Sequence, residues 1–142
     1  MKLKEFNTEN SKTMRVSEPV VRISTKSGVF SFNGSASELL ELATNKVVFV
    51  QDELSLRDWY IKKSNADNAF TLRMDGKSVN VRYDFNSTHL AKRVMDSLRK
   101  PGKNYQASTF RIQQKPVEME GVVYYLLITA NMINPSEIEE KN

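Results

Sequence analysis

The sequence predicts an α+β fold: a twisted antiparallel sheet of about seven or eight strands with two helices packed against it. Three observations lead there. Short runs rich in Val, Ile, Phe and Tyr recur along the chain with turn residues between them. Most of these runs are joined by short turns, the connection that antiparallel pairing uses. Two segments instead carry apolar residues at spacings of three and four behind a polar cap. With 142 residues the chain is long enough for one domain. We place that domain at residues 19–134, between a flexible arm, 1–18, and an acidic tail, 135–142.

The elements follow in order. Val21 to Ser24 and Gly28 to Phe32 read as two strands around a tight turn at Lys26-Ser27-Gly28. Ser35-Ala36-Ser37-Glu38 has the spacing of a capping box, so a short helix carrying Leu39, Leu40, Leu42 and Ala43 is expected to start there and stop near Thr44-Asn45. Lys46 to Val50 and Asp58 to Lys62 are strands separated by a polar link, Asp52 to Arg57. Between Ala69 and Arg82 the pair Asp75-Gly76 suits a type I′ turn. Alternation then puts Phe70, Leu72, Val79 and Val81 on one face, and Thr71, Arg73, Ser78, Asn80 and Arg82 on the other.

Ser87 or Asn86 is expected to cap a second helix, Thr88 to Lys100, with Leu90, Ala91, Val94, Met95 and Leu98 inward. Arg99 and Lys100 then fall in its last turn, and Pro101-Gly102 ends it. A last hairpin runs from Thr109 to Gln113 and Pro116 to Met119, turning at Glu120-Gly121 into the apolar strand Val122 to Thr129. That strand is expected to be buried on both faces, or on one with the other in a subunit contact, hence a homodimer. The predicted core is Ile23, Phe30, Phe32, Leu39, Leu40, Val48, Phe49, Phe70, Leu72, Val81, Leu90, Val94, Leu98, Ile112, Leu126 and Ile128.

Charge is unevenly placed. Residues 1–61 carry eight basic and eight acidic side chains, whereas residues 62–115 carry twelve Lys and Arg against four Asp. The last 27 residues return a net of −4. A basic middle is the footprint of a phosphate-backbone partner. The catalytic inventory is poor by comparison. There is no Cys, His89 is the single histidine, and no glycine-rich phosphate loop is present. The chain is therefore read as non-enzymatic, with no cofactor and no metal. No run approaches the length of a membrane span, and Met1 to Glu5 lacks the apolar core of a signal peptide, so a cytoplasmic protein is expected.

Two resemblances bear on the partner. Val21-Arg22-Ile23-Ser24-Thr25-Lys26-Ser27-Gly28-Val29-Phe30-Ser31-Phe32, the Leu39-Leu40-Glu41-Leu42 helix, Val47 to Glu53 and Trp59 to Lys63 resemble the AbrB-type swapped-hairpin regulators over residues 21–63. That resemblance implies a homodimeric DNA binder. The chain departs from the pattern at Gly28-Val29-Phe30-Ser31-Phe32-Asn33, where the family has Gly-Arg-Val and then Ile-Pro. Residues 58–100, with the Asp75-Gly76 hairpin, Val79 to Phe85 and a Ser-capped helix, are similar to the Whirly and positive-cofactor type of single-stranded-DNA binder. This implies a bent sheet presenting basic and aromatic side chains.

The reading that results is a nucleic-acid-binding protein preferring single-stranded DNA. Lys62, Lys63, Arg73, Arg82 and Arg111 are expected to neutralise phosphates, and Trp59 or Tyr60 to offer a stacking face. The other reading is a protein-interaction or structural module whose partner meets the apolar strand or the acidic tail. For Trp59 the competing role is a core anchor.

Overall fold

Runs of β-branched and aromatic residues bounded by turn residues become nine strands among the described residues. The computed structural model describes residues 1–3, 18–75, 81–99 and 104–137. Strands β1 (Val20–Ser24) and β2 (Val29–Phe32) precede helix α1 (Gly34–Leu39). Strands β3 (Lys46–Asp52), β4 (Ser55–Ser64), β5 (Arg73–Asp75) and β6 (Arg82–Asn86) precede helix α2 (Thr88–Ser97). Strands β7 (Tyr105–Ile112), β8 (Val117–Met119) and β9 (Val122–Glu137) follow. The sheet order is β3-β4-β9-β7-β1-β2-β6-β5, with β8 beside β9 and all pairs antiparallel. The α+β class with a curled antiparallel sheet is the one the sequence predicts.

Curling nearly closes the sheet on itself. The amide and carbonyl of Val47 on β3 exchange hydrogen bonds of 3.4 and 2.9 Å with Phe70, on the segment leading into β5. The concave side holds the core. Phe85 is its hub: Phe30 and Phe70 stack on it at 4.6 and 4.4 Å, and Phe49 meets it edge-on at 6.0 Å. These rings come from β2, β3, β6 and the Phe70 segment, so one aromatic cluster ties the two ends of the sheet together. Both helices contribute to the same core, α1 through Ala36 and its C-cap Leu40, α2 through Ala91, Val94 and Met95 and its C-cap Leu98. Among the described residues no helix is long and apolar enough to cross a membrane.

Several expectations need correction. Asn33, not Ser35, caps α1: its Oδ1 accepts from the amides of Ala36 (2.9 Å) and Val20 (3.1 Å), and its Nδ2 donates to the Glu18 carbonyl. One side chain thus starts the helix and pins the entry to β1, which a box at Ser35 does not do. Helix α1 ends at Leu39, earlier than expected. Helix α2 is capped by Ser87, whose hydroxyl accepts from the Leu90 amide, and it stops at Ser97. Arg99 therefore lies beyond the helix rather than in its last turn; Lys100 to Gly102 lie outside the described residues. The polar link before Asp58 shrinks to a turn at Glu53-Leu54, because β3 and β4 extend toward each other.

Strand pairing also departs from expectation. A two-residue Asp75-Gly76 turn would oppose Met74 to Lys77, but Met74 opposes Tyr83 and Asp75 opposes Arg82. The register of β6 is fixed instead by its pairing with β2, which brings Phe85 opposite Phe30. Gly76, Lys77, Ser78, Val79 and Asn80 lie outside the described residues. Strand β9 does not stop before the tail: it runs through Pro135 to Glu137, with Ser136 opposite Ala107 and Glu137 opposite Tyr105. The register against β7 jumps between Ile128 and Ile133, which accommodates a broad bulge in β9. The turn at Glu120-Gly121 is as predicted, and both residues have positive φ, 52° and 78°, as a type I′ turn requires.

Within the two continuous apolar runs the core lies one residue away from the predicted positions. Val47 is buried and Val48 is not; Tyr125 and Leu127 are buried, whereas Leu126 and Ile128 face outward, half-buried. Val81 is likewise only partly buried. Leu39, Phe49, Phe70, Leu72 and Leu90 pack against the core while keeping some exposure.

Candidate nucleic-acid interface

Strand alternation divides the predicted site residues before any chemistry is considered. On β4, Trp59 and Ile61 point to the concave side and Tyr60 and Lys62 to the convex side. Trp59 is 4% exposed, and its Nε1 donates to Ser97 Oγ at 2.8 Å, while that hydroxyl donates to the Val94 carbonyl. It anchors α2 to the sheet and presents no stacking face, which removes it from the predicted site. Lys63 lies opposite the core residue Val47, at the concave side's rim, with its Nζ 3.6 Å from a Glu41 carboxylate oxygen. Lys62 and Lys63 therefore do not act on one face.

The convex side collects the rest in two places. Tyr60 opposes Leu126, and its ring meets that of Tyr124 edge-on, 6.1 Å between centroids and 73° between planes. Both tyrosines are half-buried, and Lys62 is the next convex residue along β4. Two strands further on, Arg111 lies opposite Ile128 and Val20, with its Nε 2.9 Å from Glu18 Oε2. Beside it on β1, exposed Arg22 donates to Thr109 Oγ1 at 3.1 Å and to the Asn134 carbonyl at 3.4 Å. From β4 to β1 is three strand spacings, roughly 14–15 Å. Tyr60, Tyr124, Lys62, Arg111 and Arg22 thus form one convex patch.

Arg73 and Arg82 share a face, as their alternation predicts, on β5 and β6, outside the four strands that carry that patch. Arg73 opposes Asp84 and donates to Asn86 Oδ1; Arg82 opposes Asp75. Each arginine thus has an acidic residue as its direct cross-strand neighbour.

Sequence reasoning missed Arg22 and Tyr124. Arg22 was legible from the alternation Val21-Arg22-Ile23, and was passed over because it lies in the charge-neutral half. Tyr124 sits inside a continuous apolar run, where nothing in the sequence assigns a face. Among the described residues no cluster of His, Asp or Glu is placed to hold a metal ion. His89 is exposed in the first turn of α2.

The fold and patch together define a curled antiparallel sheet whose two helices fill the concave side and whose convex side carries tyrosines between cations. No family model, curated protein or solved structure matches the chain, so neither resemblance drawn from the sequence gains a relative to support it.

Proposed function

We propose that the chain is a non-enzymatic binder of single-stranded nucleic acid, DNA in the first instance, and that the strand crosses the convex side over β4, β9, β7 and β1. The observation that carries this is the pair Tyr60 and Tyr124, half-buried on a solvent-facing sheet surface with Lys62 on one flank and Arg111 and Arg22 on the other. Bases stack on the tyrosine rings while the cations meet phosphates. A duplex keeps its bases stacked inside and cannot use such a platform, so single strands are preferred. Glu18 holds the Arg111 guanidinium through its Nε, which leaves the rest of a five-donor group to a phosphate.

A second reading has its own observation. Val48, Val50, Leu126 and Ile128 lie half-buried on the same convex side, and Val122 and Val123 at the nearby hairpin are 37% and 40% exposed. A protein partner, including a second copy of the chain in a homodimer, would cover these aliphatic side chains.

Fluorescence anisotropy with a labelled ~20-nucleotide single strand and the matching duplex, at low and moderate salt, tests the first reading. Single-strand binding with a logarithmic salt slope of about −2, as three phosphate contacts give, is the expected result. Exchanging Tyr60 and Tyr124 together for Leu should weaken it about tenfold or more. Failure to bind either oligonucleotide at low salt, with sedimentation showing a dimer, would replace the first reading with the second.

A further inference from the structure

A cavity of about 230 Å³ opens between the C-terminal half of α2 and the adjoining ends of β1 and β7, away from the convex patch. It is lined by Thr25, Lys92, Met95, Asp96, Arg99, Asn104 and Tyr105. We propose that this cavity binds a nucleoside monophosphate unit, with the phosphate between Lys92 and Arg99 and the base against the Tyr105 ring. The proposal is independent of the convex platform and adds a second site to the molecule.

The lining supplies each function such a ligand needs. Lys92 on α2 and Arg99, just past its C-cap, both line the cavity. Asp96 sits between them in the lining, four residues after Lys92 and three before Arg99, so two cations face one carboxylate there. Arg99 is also oriented: its Nε donates to Asn104 Oδ1 at 2.6 Å, which fixes the guanidinium plane and leaves the two terminal nitrogens as a fork suited to phosphate oxygens. Tyr105 is half-buried and offers a ring surface in the same cavity. Asp96 accepts from a ribose hydroxyl or a base N–H, and Thr25, whose hydroxyl donates to the Gln106 carbonyl, retains acceptor capacity.

The size selects among ligands. The cavity lies below the usual range for drug-sized molecules, roughly 300–1,000 Å³, so it holds part of a mononucleotide with the rest in solvent and leaves no room for a dinucleotide cofactor. The C-terminal end of a helix carries partial negative charge that opposes an anion, so the affinity is modest.

The test is a titration of the full ¹⁵N-labelled chain with adenosine monophosphate, adenosine and inorganic phosphate. The monophosphate should give saturable shifts around residues 92, 99 and 105, with adenosine and phosphate each at least tenfold weaker. Arg99→Gln and Lys92→Gln should each weaken the monophosphate about tenfold, Tyr105→Leu should weaken it without changing the response to phosphate, and Lys115→Ala, at an exposed position outside both sites, should change nothing. Comparison of an oligonucleotide with and without a 5′-phosphate then identifies the source. A phosphate-dependent gain lost in Arg99→Gln assigns the site to a strand end, and its absence beside monophosphate binding assigns it to a free nucleotide. No saturable shift, or phosphate binding as tightly as the monophosphate in both wild type and Tyr105→Leu, overturns the proposal. Platform binding of an unphosphorylated strand is a separate readout, so each site stands or falls alone.

Discussion

Gly28 joins the first hairpin to the second helix, and replacing it tests how the curled sheet holds α2. Its φ is +72°, its amide donates to the Ser24 carbonyl at 2.9 Å, and its carbonyl accepts from the Ser87 amide at 2.8 Å. A Cβ at this position would stand 2.6 Å from Thr88 Oγ1 and 2.8 Å from the Thr88 backbone nitrogen. Alanine here therefore incurs two costs. The left-handed backbone contributes about 1–2 kcal/mol, and forcing the first turn of α2 away from the hairpin adds about 1–3 kcal/mol. Gly121 separates the two, since its φ is +78° but no atom lies within 4 Å of its virtual Cβ. Gly28→Ala should then cost about 2–5 kcal/mol and lower Tm by roughly 6–15 °C, whereas Gly121→Ala shows the backbone part alone. Urea and thermal unfolding followed by circular dichroism give both values. Equal losses in the two variants would refute the close approach of Gly28 to Thr88.

Three further outcomes are expected. Phe85→Ala empties the centre of the stack between Phe30 and Phe70 and should cost about 3–5 kcal/mol in urea unfolding. Asn33→Ala removes the α1 cap together with the bonds to Val20 and Glu18, for about 1–2 kcal/mol, and Asn33→Asp should recover part of it because a carboxylate still accepts from the Ala36 amide. Trp59→Phe should lose about 1–3 kcal/mol by unfolding, and in the unmodified protein a bound oligonucleotide should leave the emission of this indole unchanged, since its ring lies in the core and its N–H is bonded to Ser97.

How much of this was legible in the sequence depended on whether one element determined it. The Glu120-Gly121 turn, the Ser87 cap and the inward stripe of α2 are local, and each appears as predicted. The core faces of Val47 to Val50 and Val122 to Ile128 are not local. In a continuous apolar run either parity is acceptable to the strand itself, and the choice falls to partners: Ile61 beside Phe49, and Trp59 beside Leu127. The register of β5 on β6 was missed for a similar reason: β6 is set by the Phe30–Phe85 pairing of the core, which a local turn signal does not contain. The candidate site was half legible. Tyr60, Lys62 and Arg111 do reach the convex side, but among the described basic residues of the middle segment Lys63 stands at the concave rim, Arg73 and Arg82 on β5 and β6, and Lys92 and Arg93 on α2. Linear charge density cannot report on which side of a curve a residue stands.

The most direct test of the account is amide chemical-shift mapping of the ¹⁵N-labelled chain with an unlabelled, unphosphorylated single strand at low salt. Shifts concentrated at residues 22, 60, 62, 111 and 124, with Arg73 and Arg82 unmoved, are the predicted result. An unchanged spectrum at saturating oligonucleotide, or shifts confined to β5 and β6, would contradict the claim that the convex tyrosine patch binds nucleic acid.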